Sequence, residues 1–184
     1  QQPLATSDLD FVIRMGDPGE SELIGKRVAT VAFGIFASEE YMAAHPAPRS
    51  LSQLKDHDII GLTEDFAGFR SERAGQMQLA TQFFAATEVR NALRILPVAS
   101  HFAAAAEGLG LALLAVPFAQ AEQLVRVLPN ETAFLNVWLL RRPESDLRKM
   151  TREVRRFLES EFVKSRSWFS GNQKAAHASN RRRS

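Results

Sequence analysis

The feature that most constrains this chain is the run Leu109–Ala119, LGLALLAVPFA, which is apolar throughout and follows an alanine-rich stretch ending at Gly108. A bilayer span needs roughly 20 apolar residues, and this run is far shorter. Its first part, LGLALLAVP (109–117), reads instead as a strand covered on both faces, the kind found inside a parallel sheet. The preceding PVASHFAAAAEG reads as a helix, with Pro97 in its first turn and Gly108 just past its end.

The same alternation recurs along the chain. DLDFVIRMG (8–16) reads as a short strand, nearly all apolar and so expected to be buried on both faces. LIGKRVATVAFGIFA (23–37) is one long extended segment, interrupted by Gly25 and Gly34, of a length that runs between two lobes. Ser38 and Ser50 each sit where a helix N-cap belongs, and DIIGLT (58–63) follows as a buried strand. LATQFFA and EVRNALRIL (79–95) look strand-like, and residues 64–77 read as a loop. FAQAEQL is a short helix, and LVRVLP and AFLNVWLLRR are further strands. Ser145 opens an amphipathic helix whose apolar face is Leu147, Met150, Val154, Phe157, Leu158 and Phe162. Residues beyond about 167 are expected to be disordered. Strands alternating with helices argue for an α/β layer architecture.

Charge is divided unevenly. Residues 1–140 hold 10 Lys+Arg against 16 Asp+Glu, whereas 141–184 hold 13 against 5. The basic quarter reads as a solvated helix face with a tail, and alternatively as a weak, salt-sensitive nucleic-acid contact.

The residue inventory gives no coherent catalytic centre. With no cysteine there are no disulfides, thiol nucleophiles or thiolate zinc sites. His45, His57, His101 and His177 are too scattered for a metal motif, so neither a metal nor another cofactor is expected. Ser100 and His101 are neighbours and, on a helix, point about 100° apart, so they form no dyad. Gly108-Leu109-Gly110 ends a helix rather than opening one, which is the wrong dipole sign for phosphate. The paired acids fall at helix starts and loops, where acids are usual.

Binding is better supported. A helix opening near Pro97 after a strand exposes free N–H groups that attract anions; Ser100 adds a hydroxyl and His101 a donor. The competing reading is that Ser100 caps the helix and His101 packs. Arg14, at the end of a strand expected to be buried, must meet either an internal carboxylate or a ligand.

These segments resemble a known family. Asp10-Phe11-Val12-Ile13-Arg14-Met15-Gly16 is similar to its D-[LV]-A-[IV]-R-x-G segment. SELIGKR (21–27) with ASEEYMAAHPAPRSLSQLKDHDIIGL (37–62), AAAAEGLGLALLAVP (103–117) and VRVLP (125–129) match three further motifs in order. The family is the LysR-type transcriptional regulators, and the region resembled is the effector-binding domain. The resemblance implies an α/β fold of two Rossmann-like lobes of the type II periplasmic binding protein kind, joined by two crossing strands. Residues 1–30 and 117–163 would form the first lobe, incomplete at its N-terminus, residues 31–116 the second, and 164–184 a disordered basic tail. It further implies a small, anionic effector held in the inter-lobe cleft by Arg14, Gly16, Leu96, Pro97, Ser100 and His101. Operator DNA would be bound through a winged helix-turn-helix not found in this sequence, and the full-length regulator would be a cytoplasmic homodimer or tetramer. A free-standing solute-binding protein of the same fold is the alternative; the N-terminus QQPLATSDLD does not read as a signal peptide, and without an initiator Met it is expected to be a processed or truncated start. An enzyme is not expected.

Overall fold

Val28, Val31, Phe33, Ile35 and Phe36 give the segment after Leu23 the β-branched and aromatic character of a strand, and it forms one strand, β2 (Ile24–Ala37), through both glycines. Gly25 lies under Trp138 and Leu140, and Gly34 under the Arg126 guanidinium, so each glycine makes room for a neighbour instead of ending the strand. The structure, a computed structural model, describes residues 9–16, 18, 22–61, 79, 83, 85, 92–94 and 99–171.

Seven strands are seen among these: β1 (Phe11–Met15), β2, β3 (Ile59–Gly61), β4 (Ala92–Arg94), β5 (Leu111–Ala115), β6 (Val125–Val127) and β7 (Ala133–Arg141). Their order is β1-β7-β2-β5-β3-β4, with β6 also on β2. The chain divides into two units, Gln1–Val31 with Leu135–Ser184, and Ala32–Phe134, and it passes between them inside β2 and again inside β7.

In the second unit β5 pairs antiparallel with β2 and parallel with β3, and β3 pairs parallel with β4. All five residues of β5 are buried, as its uninterrupted apolar run requires. Helices α1 (Glu39–Ala44), α2 (Ala99–Ala106) and α3 (Val116–Ala121) belong to this unit. Ser38 caps α1 by accepting the Tyr41 N–H at 3.1 Å. Gly108, at φ 72°, ends α2, where the Leu109 N–H reaches back to the Ala104 carbonyl. The core is Ala32, Phe36 and Ile60 packed with Ala104, Ala105, Ala112, Leu114 and Leu124. Residues 117–134 lie in this unit, where β6 pairs with β2 (Phe36↔Arg126).

Two expectations are corrected here. Ser50 makes no side-chain cap; it precedes a 3-10 segment, Leu51–Asp56, and its hydroxyl meets that of Ser52 at 2.9 Å. The described residues of LATQFFA (Leu79, Phe83 and Ala85) are helical, not extended. Leu79 and Phe83 are buried four residues apart, the spacing of one helix face. The loop expected at 64–77 lies outside the described residues.

In the first unit β1 pairs antiparallel with β7 and ends the strand order among the described residues, with Ile13 54% and Met15 43% exposed. It is therefore not the doubly covered strand its composition implied. Helix α4 (Lys149–Lys164) follows a 3-10 turn at Pro143–Leu147. Its N-cap position is Arg148, without a capping side chain, while Ser145 is buried and donates to the Asp10 carbonyl at 3.3 Å. Arg148 pairs with the Asp10 carboxylate. Only Thr151 of α4 is buried; Leu147, Met150 and Phe157 are largely exposed. The tail is ordered further than expected: α5 (Arg166–Phe169) folds back so that Phe169 stacks on Phe162, with ring centres 5.6 Å apart.

Candidate functional site

Arg14 stands opposite Trp138 in the β1–β7 register, and Gly16 continues that ladder by donating its N–H to the Asn136 carbonyl at 2.9 Å. Gly16 is buried with φ 83°, a conformation that favours glycine. Because side chains alternate along a strand, Arg14, Trp138 and Asn136 project from one face of the first unit's sheet. Thr30 of β2 joins them, its hydroxyl donating to Asn136 Oδ1 at 3.1 Å.

That face carries unmet donors. The Trp138 indole N–H is buried and has no acceptor among the described residues. Asn136 uses its amide oxygen on Thr30, which leaves the amide NH2. Arg14, half-buried, makes no ion pair or hydrogen bond among the described residues. Of the two outcomes open to Arg14, an internal carboxylate is thus not the one found among those residues. Buried donors without acceptors are costly, and a bound carboxylate or similar anion would satisfy several at once.

The other sequence candidates lie in the second unit. Ser100 is half-buried inside α2, one residue after its start, and so does not cap it. His101 is 2% exposed and packs in the core with a polar or ring partner of its own. Leu96 and Pro97 lie outside the described residues. Arg14 with Gly16 are thus placed in one unit, and Ser100 with His101 in the other.

Two features of the second unit were not legible from residue type. Arg126, on β6, donates to Thr132 Oγ1 at 2.5 Å and to the Glu131 carbonyl at 3.3 Å, while its Nε is buried without an acceptor among the described residues. Burial, without a carboxylate partner among these contacts, lowers its pKa below the usual guanidinium range. The second is a cluster of rings. Tyr41 Oη accepts the Asp58 N–H at 3.0 Å and lies 3.3 Å from His57 Nδ1, so the phenol O–H donates to that nitrogen. His45 stacks on Tyr41 at 4.1 Å and holds the Tyr41 carbonyl through Nδ1 at 3.0 Å. Burial, reinforced by His45, holds the His57 pKa below 6.5 against Asp56 and Asp58. Burial likewise raises the Tyr41 pKa above 10.0, so the phenol keeps its proton. The Tyr41 hydroxyl and Nδ1 of both histidines are used within the cluster, which suits a structural tie better than a binding site.

Comparison with known proteins agrees with this architecture. The chain matches the family described as LysR substrate binding domain over residues 1–163. It is 34% identical over 56 residues to the HTH-type transcriptional regulator CrgA of Neisseria meningitidis serogroup C and, equally, of serogroup B. That match covers 30% of this chain and spans only 19% of each of those relatives. Among solved structures it resembles the CrgA regulatory domain of N. meningitidis (TM-score 0.63, 20% identity, 85% of this chain and 76% of that one). It also resembles the effector domain of AmpR of Pseudomonas aeruginosa (TM-score 0.63, 17% identity, 88% and 76%). The full-length Vibrio cholerae virulence activator AphB is matched at TM-score 0.59 and 20% identity, covering 87% of this chain and 52% of that one. No helix among the described residues is long and apolar enough to cross a membrane.

Proposed function

This chain belongs to the LysR substrate-binding domain family, and from that membership we propose that it is the effector-sensing part of a LysR-type transcriptional regulator, responsive to a small anionic molecule. The fold is that of the family, an α/β architecture of the type II periplasmic binding protein kind, and the family is a regulator domain rather than an enzyme class.

The observation that carries the anionic preference is the donor-rich face of Arg14, Trp138 and Asn136, where three side chains have hydrogens to give and no acceptor among the described residues. A carboxylate has four lone-pair sites and meets such a set. Gly16, Leu96, Pro97, Ser100 and His101 remain proposed effector residues, with Ser100 better placed than the buried His101. In the whole regulator this part would act in a cytoplasmic homodimer or tetramer whose operator contacts come from a winged helix-turn-helix. The matched relatives, described as HTH-type regulators, support that reading over a free-standing solute-binding protein.

The experiment is a thermal-shift screen of the chain against small carboxylates, aromatic acids and amino acids. A ligand that binds only the folded state raises the melting midpoint by mass action. A concentration-dependent rise with one acid class, lost in Arg14→Ala, supports the proposal. A panel that leaves a cooperative melt unmoved, or a hit indifferent to Arg14, refutes the anionic reading.

A further inference from the structure

An open basic hollow lies in the first unit, sharing only Thr30 with the face around Arg14. It measures about 480 Å³, and its polar lining is Arg27 and Thr30 of β2 with Arg166, Ser167 and Ser170 at and beyond α5. That volume falls in the range of small-ligand pockets. No acidic residue lines it among the described residues.

The charges around it are already apportioned. Glu159 takes both Lys26, at 2.6 Å, and Arg155, at 3.4 Å, and Glu161 takes Lys164 at 2.6 Å. Arg27 and Arg166 have no ion pair among the described residues, and both line the same hollow. Two guanidiniums sharing a concave space without a counter-charge create a positive potential there, stronger than either would on an open surface. Their planar donor forks suit oxyanions.

Of the rest of the lining, Val28 and Ala29 are apolar, Thr30 and Ser170 give their hydroxyl hydrogens to Asn136 Oδ1 and to the Ser167 carbonyl, and Ser167 brings a hydroxyl to the wall. β5 and β6 register with β2 only over Phe33–Ala37, so one edge of Arg27–Thr30 faces no strand among the described residues. The Arg166 side of the wall is anchored, since α5 is held by the Phe162–Phe169 stack and by Trp168 against Phe169 at 5.0 Å.

We propose that this cavity binds a small phosphate-type dianion, clasped between Arg27 and Arg166, as a site separate from that of the effector. The test uses the 184-residue chain with inorganic pyrophosphate as probe, titrated calorimetrically at constant ionic strength against a chloride control. Saturable binding with Kd on the order of 1 mM or tighter is expected. Arg27→Gln and Arg166→Gln should each weaken it about fivefold or more, the scale of a lost charged hydrogen bond near the surface. Both arginines are exposed, so the variants should melt like the parent. Arg14→Ala should leave pyrophosphate binding unchanged, which separates this site from the effector reading. Absence of saturable binding, binding retained in both glutamine variants, or binding lost in Arg14→Ala alone would overturn the proposal.

Discussion

The Tyr41 phenol oxygen lies 3.0 Å from the Asp58 amide nitrogen and 3.3 Å from His57 Nδ1, so one hydroxyl ties the turn after the 3-10 segment to helix α1. It accepts from the first and donates to the second, which fixes His57 in the tautomer with hydrogen on Nε2.

This arrangement makes the second unit sensitive to acid. The folded-state pKa of His57 lies below its usual 6.5, so its neutral form is the one the fold prefers. The associated stability is fully present above pH 6.5 and is lost as pH falls through the lower folded value. The thermal midpoint should drop on acidification below 6.5, and His57→Gln should flatten that part of the profile. A parent and variant with parallel profiles would show that His57 contributes nothing to it.

Tyr41→Phe removes the shared hydroxyl and leaves the Asp58 N–H and His57 Nδ1 without a partner. A loss of about 1–3 kcal/mol in urea unfolding is expected, since a buried group left unsatisfied costs its desolvation.

Gly110 has φ 144°, and a Cβ added there would strike the carbonyl of Asp58, which itself accepts the Leu111 N–H at 2.8 Å. Backbone cannot yield as a side-chain tip does. Gly110→Ala should therefore cost at least about 2 kcal/mol, from strain and the displaced β3–β5 contact, measured by chemical denaturation.

Arg14→Ala should weaken binding of an acidic effector by about 1.5–3 kcal/mol while leaving the melt of the free chain nearly unchanged, because this arginine has no partner to lose among the described residues. Titration of parent and variant with a hit from the acid panel checks it.

Phe157→Gln and Met150→Gln should change stability by less than about 0.5 kcal/mol, as surface substitutions do. Leu135→Ala, at a site 1% exposed, should cost about 2–5 kcal/mol. Urea unfolding of the three variants tests whether the exposed stripe of α4 is as uncovered as it stands.

What could be read beforehand was whatever a short stretch decides for itself. Ser38 capping α1, Gly108 ending α2 and the buried run of β5 are local choices written in adjacent residues. Arg14 stands out as a charge in an apolar strand, but that strand is the last of the sheet among the described residues, and position in a sheet is not a property of the strand's own composition. Likewise the stripe from Leu147 to Phe157 has the right helical period, yet whether a stripe is covered depends on what lies beside it. The apolar residues of LATQFFA fit both periods, and the four-residue spacing of Leu79 and Phe83 is the one the fold uses. Asn136, Thr30 and the indole of Trp138 gave no signal, since their grouping exists only once β1, β7 and β2 are aligned.

Both passages between the units fall in the middle of a strand, at Val31/Ala32 and Phe134/Leu135. The second unit is thus a single uninterrupted insert, while the first is assembled from the two ends of the chain. During synthesis the insert is complete before the C-terminal half of its partner has left the ribosome, so the order of maturation is set by connectivity: Ala32–Phe134 can close early, and the first unit only last.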